Sequence, residues 1–314
     1  MPAVAIGIIE NNQIKSINYY GTIRLAVPAS SNVVWNIASL TKPVTAMTIM
    51  SLVNKNEFLL DEPVSNYFID PDIKDDQWTF KLTARIILSH QTGFKNWARM
   101  EPDKKLRFHF EPGKGYGYSG AGYEYLRKAV ERKFNKSLEE LANHTILTPA
   151  GMKNTHFGWN DGLDSTKFAG AFDENGVSYN TKYRNNNAAD WLVTSMEDYC
   201  RFALYVMNGA GVSNKLFKEI TRIQVHFDTL SAHKNNGMGL GWEVISNLSD
   251  GEYALTHNGS DPGIATIVLL LPNSKRGIVI FTNGEKGQKV YENILKGSKI
   301  DLQSELAKSM DEFK

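Results

Sequence analysis

The chain has 314 residues, enough for one large core or two subdomains. Its 35 basic and 34 acidic residues leave a net charge of +1 with no basic stripe, which argues against nucleic acid or an anionic membrane as partner. One cysteine excludes an internal disulfide, no apolar run approaches a membrane span, and the seven histidines show no close pair at ligand spacing, so neither metal nor cofactor is predicted.

The start, Met-Pro-Ala-Val-Ala-Ile-Gly-Ile-Ile, lacks a basic leader region and predicts a strand over Val4–Ile9, not a signal peptide. A turn at Asn11-Asn12 and a second strand, Ile14–Tyr20, follow. Next comes Ser39-Leu-Thr-Lys42, running into the apolar stretch Pro43–Val53. That stretch is apolar all round, so it predicts a buried central helix. Pro43 lacks an N–H and sits comfortably only in a first turn, which places Ser39 at the helix N-terminus with Lys42 one turn on. A hydroxyl there lies near free backbone N–H groups, a setting suited to an alkoxide or to an ordinary helix cap.

A mostly helical block is predicted from about residue 61 to 204, with sheet-forming parts over about 1–60 and 205–314 in one single-domain unit. Within it, Thr83–His90 reads as a helix stopped by Gln91-Thr-Gly93, and Gly122–Phe134 and Leu138–Leu147 as further helices. Thr194/Ser195 with Glu197/Asp198 resembles a capping box opening another. Cys200 falls in that segment and reads as a buried thiol. Strands are predicted at Gly241–Ile245, Tyr253–His257, Ile264–Leu271 and Gly277–Thr282, and Leu302, Leu306, Met310 and Phe313 mark an amphipathic closing helix. Strands at both ends with helices between predict an α+β fold whose antiparallel sheet is built from both termini.

Three short motifs stand in order: Ser39-Leu-Thr-Lys42, Tyr118-Ser-Gly120 and His257-Asn-Gly259. Together they read as a nucleophile, its proton-transfer partners and an edge strand beside the substrate. Ser-x-x-Lys occurs again at Ser231-Ala-His-Lys234, in a polar loop with no helix behind it. Gly117-Tyr-Ser-Gly-Ala121 is one residue short of the Gly-x-Ser-x-Gly elbow, which would make Ser119 the nucleophile. That elbow needs a preceding buried strand, and Glu111–Gly115 reads as a turn. Gly237-Met-Gly-Leu-Gly241 leads into a strand instead of a helix, so it is not a nucleotide loop.

With Trp35–Ala46, Ile87–Phe94, Glu111–Tyr123, Leu192–Asp198, Gly239–Trp242 and His257–Gly263, the chain resembles the penicillin-recognising serine hydrolases. The branch is that of class C β-lactamases, D-alanyl-D-alanine carboxypeptidases, D-aminopeptidases and esterases. The resemblance implies an acyl-enzyme mechanism without cofactor. Ser39 would be the nucleophile, Lys42 its proton acceptor or electrostatic partner, and Tyr118 the general base. Backbone N–H groups of Ser39 and Ser260 would form the oxyanion hole, and His257 would line the cleft. Gly120, Trp191, Asn258 and Gly259 would border the substrate.

Three departures bear on that substrate. The resemblance puts asparagine at the position of Gly120, lysine in β-lactamases at that of His257, and Gly-Gly where Asp190-Trp191 stands. Loss of the asparagine donor favours esters over peptides and β-lactams, and a tryptophan beside the cleft would narrow it. The implied activity is hydrolysis of a small ester or D-amino-acid amide. The alternatives are a penicillin-binding sensor without turnover and a weak class C-like β-lactamase. The implied partner is a small molecule or peptide, peptidoglycan-derived or β-lactam, and the implied compartment is extracytoplasmic, with this chain as a trimmed mature form.

Overall fold

Val4–Glu10 (β1) alternates between buried and half-buried residues, as a strand with one inward face must, and Gln13–Tyr20 (β2) returns beside it. The remaining strands of this sheet come from the other end of the chain. They are Val225–His226 (β3), Asn236–Met238 (β4), Glu243–Ile245 (β5), Ala254–Asp261 (β6), Ile264–Leu271 (β7) and Arg276–Thr282 (β8). The order across the 8-stranded sheet is β2-β1-β8-β7-β6-β5-β4-β3, with every pairing antiparallel. The chain is described from a computed structural model that covers residues 2–179, 187–227 and 235–297.

The fold is α+β. Thr41–Asn54 (α1) is buried from Thr41 through Leu52, which fits its apolar composition on all sides. Gly120–Phe134 (α2) follows it, and Met196–Met207 (α3) packs on the inner face of β1, β2 and β8. One apolar core gathers residues from Ala3 to Phe281. Gly287–Gly297 (α4) lies on the outer face, where Tyr291 and Leu295 cover Ile267, Leu269 and Ile280. A small mixed sheet joins Val34–Asn36, His156–Phe157, Phe168–Ala169 and Leu192–Ser195. Among the described residues no helix is long and apolar enough to cross a membrane, and no group of His, Cys, Asp or Glu could hold a metal.

Several boundaries differ from the sequence reading. The helix predicted over Leu138–Leu147 runs on to Ala150 through a π turn at Asn143–Leu147. Strand β6 extends past His257 to Asp261, because β7 supplies pairing partners for its glycine-containing, polar end. Ser195 caps α3 through Asp198 N–H at 3.1 Å. The reciprocal half of the predicted box is absent, since the Asp198 carboxylate instead accepts from Asn154 N–H and Thr155 Oγ1. Helix α4 overlaps the start of the closing helix that the sequence predicts over about the last 25 residues. The rest of that helix, with Leu302, Leu306, Met310 and Phe313, and the second Ser-x-x-Lys at Ser231 lie outside the described residues.

Candidate active site

Ser39 stands in a 3₁₀ turn, Ala38–Leu40, that runs directly into α1. Neither the turn nor α1 has a side-chain cap, so Ser39 is not spent as an N-cap. The residue before it, Ala38, has φ +48, a left-handed conformation that costs a non-glycine residue about 1 kcal/mol or more. Asn36 Oδ1 holds that turn by accepting from Ala38 N–H at 2.9 Å. The half-buried hydroxyl of Ser39 therefore projects from a strained, pinned turn.

Lys42, three residues on, is entirely buried. Its Nζ lies 3.0 Å from Ser39 Oγ and donates to Ala189 O at 2.8 Å. Neither partner is anionic. Burial pulls the amine down to about 7, although the carboxyls of Asp190, Asp261 and Glu124 pull the other way. An appreciable fraction of Lys42 is thus neutral at physiological pH.

The Tyr118 ring stands beside the Ser39–Lys42 pair, with Lys42 Nζ 4.6 Å from its centre. Burial raises this phenol far above its ordinary value, and the neighbouring Ser39 offsets only part of that. Tyr118 is therefore a protonated phenol, which runs against the general-base role that the resemblance implies. Its position is set by His90. Gly117 N–H donates to His90 O at 2.8 Å, Ser119 N–H donates to His90 Nδ1 at 3.0 Å, and the two rings lie tilted by 34° with centroids 4.3 Å apart. Ser119 itself is occupied: its Oγ accepts from Gly122 N–H and donates to Lys95 O, both at 3.0 Å. That removes it as an alternative nucleophile.

Strand β6 closes the site. Strand β5 pairs only as far as Glu243↔Thr256, so His257–Asp261 keep β7 on one side and an open edge on the other. Gly259 touches the Ser39 turn: a Cβ there would fall 2.5 Å from Ile37 O and 3.1 Å from Ser39 N. His257 is wholly buried, and its Nδ1 bonds the carbonyl of Asn258 at 2.7 Å. A carbonyl only accepts, so the proton is on Nδ1 and the buried, unpartnered Nε2 carries a lone pair. Burial and Lys42 together push His257 down to about 3 and hold it neutral. Its ring centre is 6.2 Å from that of Tyr118.

Four sequence-predicted positions are placed in ways the motifs did not foretell. Gly120 is buried under Trp97: a Cβ would meet the indole at 2.8 Å, and Gly120 N–H donates to Asn96 Oδ1 at 2.8 Å. The space that an asparagine would need is filled. Asn258 turns away from the cleft, because successive strand residues alternate faces, and its side chain is exposed. Trp191 is buried with Val34, Trp159, Phe168 and Val193, so it belongs to an apolar cluster and does not narrow the cleft. Ser260 lies on the open edge with its side chain exposed. Sequence reasoning missed His90, Trp97, Asp190 and Asp261. Of these, His90 and Asp261 stood in recognised motifs, and Asp190 in a segment that departs from the family pattern.

The Beta-lactamase family model matches residues 1–297, over an unbroken stretch holding all three motifs. The chain belongs to the Beta-lactamase family. Penicillin-binding protein 4* of Bacillus subtilis (strain 168) is 23% identical over 309 residues, covering 86% of this chain and 65% of that protein. Protein flp of Staphylococcus aureus (strain MRSA252) is 21% identical, with 90% and 60% covered. The chain thus spans about 60–65% of the length of these curated relatives. In fold it is similar to the octameric penicillin-binding protein homologue from Pyrococcus abyssi, with TM-score 0.78, 21% identity and 94% and 73% of the two chains covered.

Proposed function

We propose that this chain is a serine hydrolase that acts through an acyl-enzyme on Ser39, with a small ester or D-amino-acid amide as substrate. The observation that carries this is the Ser39 hydroxyl held at 3.0 Å by the buried amine of Lys42, which also lies 4.6 Å from the centre of the Tyr118 ring. In the proposed step, neutral Lys42 accepts the Ser39 proton as Oγ attacks the substrate carbonyl carbon. The developing oxyanion takes hydrogen bonds from the N–H groups of Ser39 and Ser260, each such donor contributing on the order of 10²–10³ in rate. Tyr118, protonated, passes its proton to the leaving oxygen or nitrogen as the C–O or C–N bond breaks, and Lys42 returns the proton to it. Water then attacks the ester carbon with the same groups acting in reverse.

The ester preference follows from Gly120. The Trp97 indole leaves no room for a side-chain amide there, so a peptide-like acyl group finds one donor fewer. Amide cleavage is supported by fold alone: the D-amino acid amidase from Ochrobactrum anthropi SV3 is 20% identical, with TM-score 0.73 over 90% of this chain and 86% of that one.

The test is a screen of p-nitrophenyl esters, D-amino-acid amides and stem peptides against wild type and Ser39→Ala, beside labelling with a fluorescent penicillin. Turnover that vanishes in Ser39→Ala supports the hydrolase. Stable labelling without turnover of any substrate makes the chain a penicillin sensor and overturns the proposal.

A further inference from the structure

The motif Ile87–Phe94 takes no part in the proposed chemical steps, yet its His90 lies wholly buried against Tyr118. The short helix Ala84–Leu88 stops just before it, and His90 turns the chain at φ +57, a left-handed conformation in which asparagine, aspartate and histidine are over-represented. The turn is itself fixed. Leu88 O accepts from Gly241 N–H at 3.0 Å and from the Tyr123 hydroxyl at 3.2 Å, and Gly93 O accepts from His109 N–H at 2.8 Å.

The segment from Gly113 to Ser119 is strapped onto this turn. Gly113 N–H donates to Gln91 O at 2.9 Å, Gly117 N–H to His90 O at 2.8 Å, and Ser119 N–H to His90 Nδ1 at 3.0 Å. The last bond holds the peptide between Tyr118 and Ser119, and it alone of the three uses a side chain. Ser119 is buried, so without that nitrogen the peptide must turn to find another acceptor. A backbone N–H only donates, so Nδ1 carries a lone pair and the ring proton is on Nε2, which is buried with no hydrogen-bond partner among the described residues. His257 is the opposite tautomer. The rings of Tyr116, Tyr118 and Tyr123 surround the imidazole at 6.3, 4.3 and 5.2 Å between centroids. Burial, and after it the charge of Lys42, push His90 well below its ordinary value and keep it neutral.

We propose that His90 is a positioning residue for the proton-donor step: its Nδ1 holds the Tyr118–Ser119 peptide and so keeps the phenol beside Ser39 and Lys42. The imidazole neither gives nor takes a proton in the reaction. It acts through Tyr118, and its backbone carbonyl holds the other side of the same residue at Gly117. The inference rests on the serine-hydrolase proposal for its effect on rate, whereas the tautomer and the strap stand apart from it.

The experiment joins spectroscopy to kinetics on the whole chain. Long-range proton–nitrogen NMR spectra of wild type, assigned with His90→Asn and His257→Asn, should show His90 protonated on Nε2 and His257 on Nδ1. A proton on His90 Nδ1 would leave nothing for Ser119 N–H to donate to and overturns the proposal. Hydrolysis of phenyl acetate, whose leaving oxygen needs a proton, is then compared in wild type, His90→Asn, His90→Gly and His90→Gln, each alone and with Tyr118→Phe. Melting curves show that each folds. Asparagine puts its amide oxygen where Nδ1 was and tolerates the left-handed turn, so kcat should stay within about 3-fold of wild type. Glycine keeps the turn and removes the acceptor, and kcat should fall by about 10–10² at unchanged KM, as small misplacements of a reacting group do. Glutamine keeps the bulk but carries its acceptor to the place of Nε2; it should fall likewise, and it decides the matter if His90→Gly does not fold. With Tyr118→Phe in place each loss should shrink below about 2-fold, since no phenol is left to position. Losses undiminished in Tyr118→Phe, or His90→Asn as slow as His90→Gly, overturn the proposal. Ester hydrolysis undiminished in Ser39→Ala would instead overturn the hydrolase proposal, and the NMR spectra would still decide whether the imidazole holds the strap.

Discussion

The amine of Lys42 lies 3.0 Å from the hydroxyl of Ser39, and its other hydrogen-bond acceptor among the described residues is the carbonyl of Ala189. A lysine so placed is short of anionic partners and wholly buried, which makes its neutral form accessible. Ser39 thus has a base in contact with it, while the neighbouring phenol of Tyr118 stays protonated.

The first consequence concerns pH. With Lys42 at about 7, the neutral base fraction grows about tenfold per pH unit below that value, so kcat/KM for p-nitrophenyl acetate should rise to a plateau above it. Glu243, pushed up to about 7 by burial, titrates in the same range. Glu243→Gln should leave the rising limb in place, and Lys42→Arg should abolish activity across the range. A limb that moves with Glu243 reassigns the base.

Tyr118→Phe removes a proton donor and leaves the base. We expect kcat to fall by about 10²–10⁴ with KM little changed and the limb near pH 7 retained. Loss of that limb in Tyr118→Phe would make the phenol the titrating group.

Burying Lys42 costs the fold stability. Its folded value, about 7, is below the ordinary 10.5, so between those pH values the unfolded chain binds more protons. Stability from this residue therefore rises with pH through that window, and the full penalty, at most about 5 kcal/mol, applies below it. Lys42→Met should be inactive yet melt higher at pH 6, by about 5 °C once the unpaired Ala189 carbonyl is allowed for. The gain should shrink as pH rises toward 10, which differential scanning calorimetry can follow.

Gly120 and Trp97 form one unit. Gly120→Asn alone should lower stability by about 1–3 kcal/mol, because its Cβ meets the indole. Gly120→Asn combined with Trp97→Ala should fold and shift kcat/KM toward amides relative to esters. The ratio of amide to ester turnover is the measurement.

Legibility in the sequence followed distance along the chain. Ser39 and Lys42 are three residues apart on one helical turn, so spacing alone places them together. The α+β architecture was legible because apolar periodicity is local to each strand and to α1. The His90 bracket around Tyr118 and the Trp97–Gly120 contact join residues that only the fold brings together. The direction of Asn258 was hidden for another reason. Its motif neighbours gave no sign that β6 runs on to Asp261 and so alternates faces through the motif.

The most direct test is mass spectrometry of the protein quenched during turnover of p-nitrophenyl acetate, with peptide mapping. An acetyl group on the Ser39 hydroxyl, absent from both Ser39→Ala and Lys42→Met, is the predicted result. Steady turnover by wild type with the acyl group on another side chain, or undiminished turnover by Ser39→Ala, would contradict it.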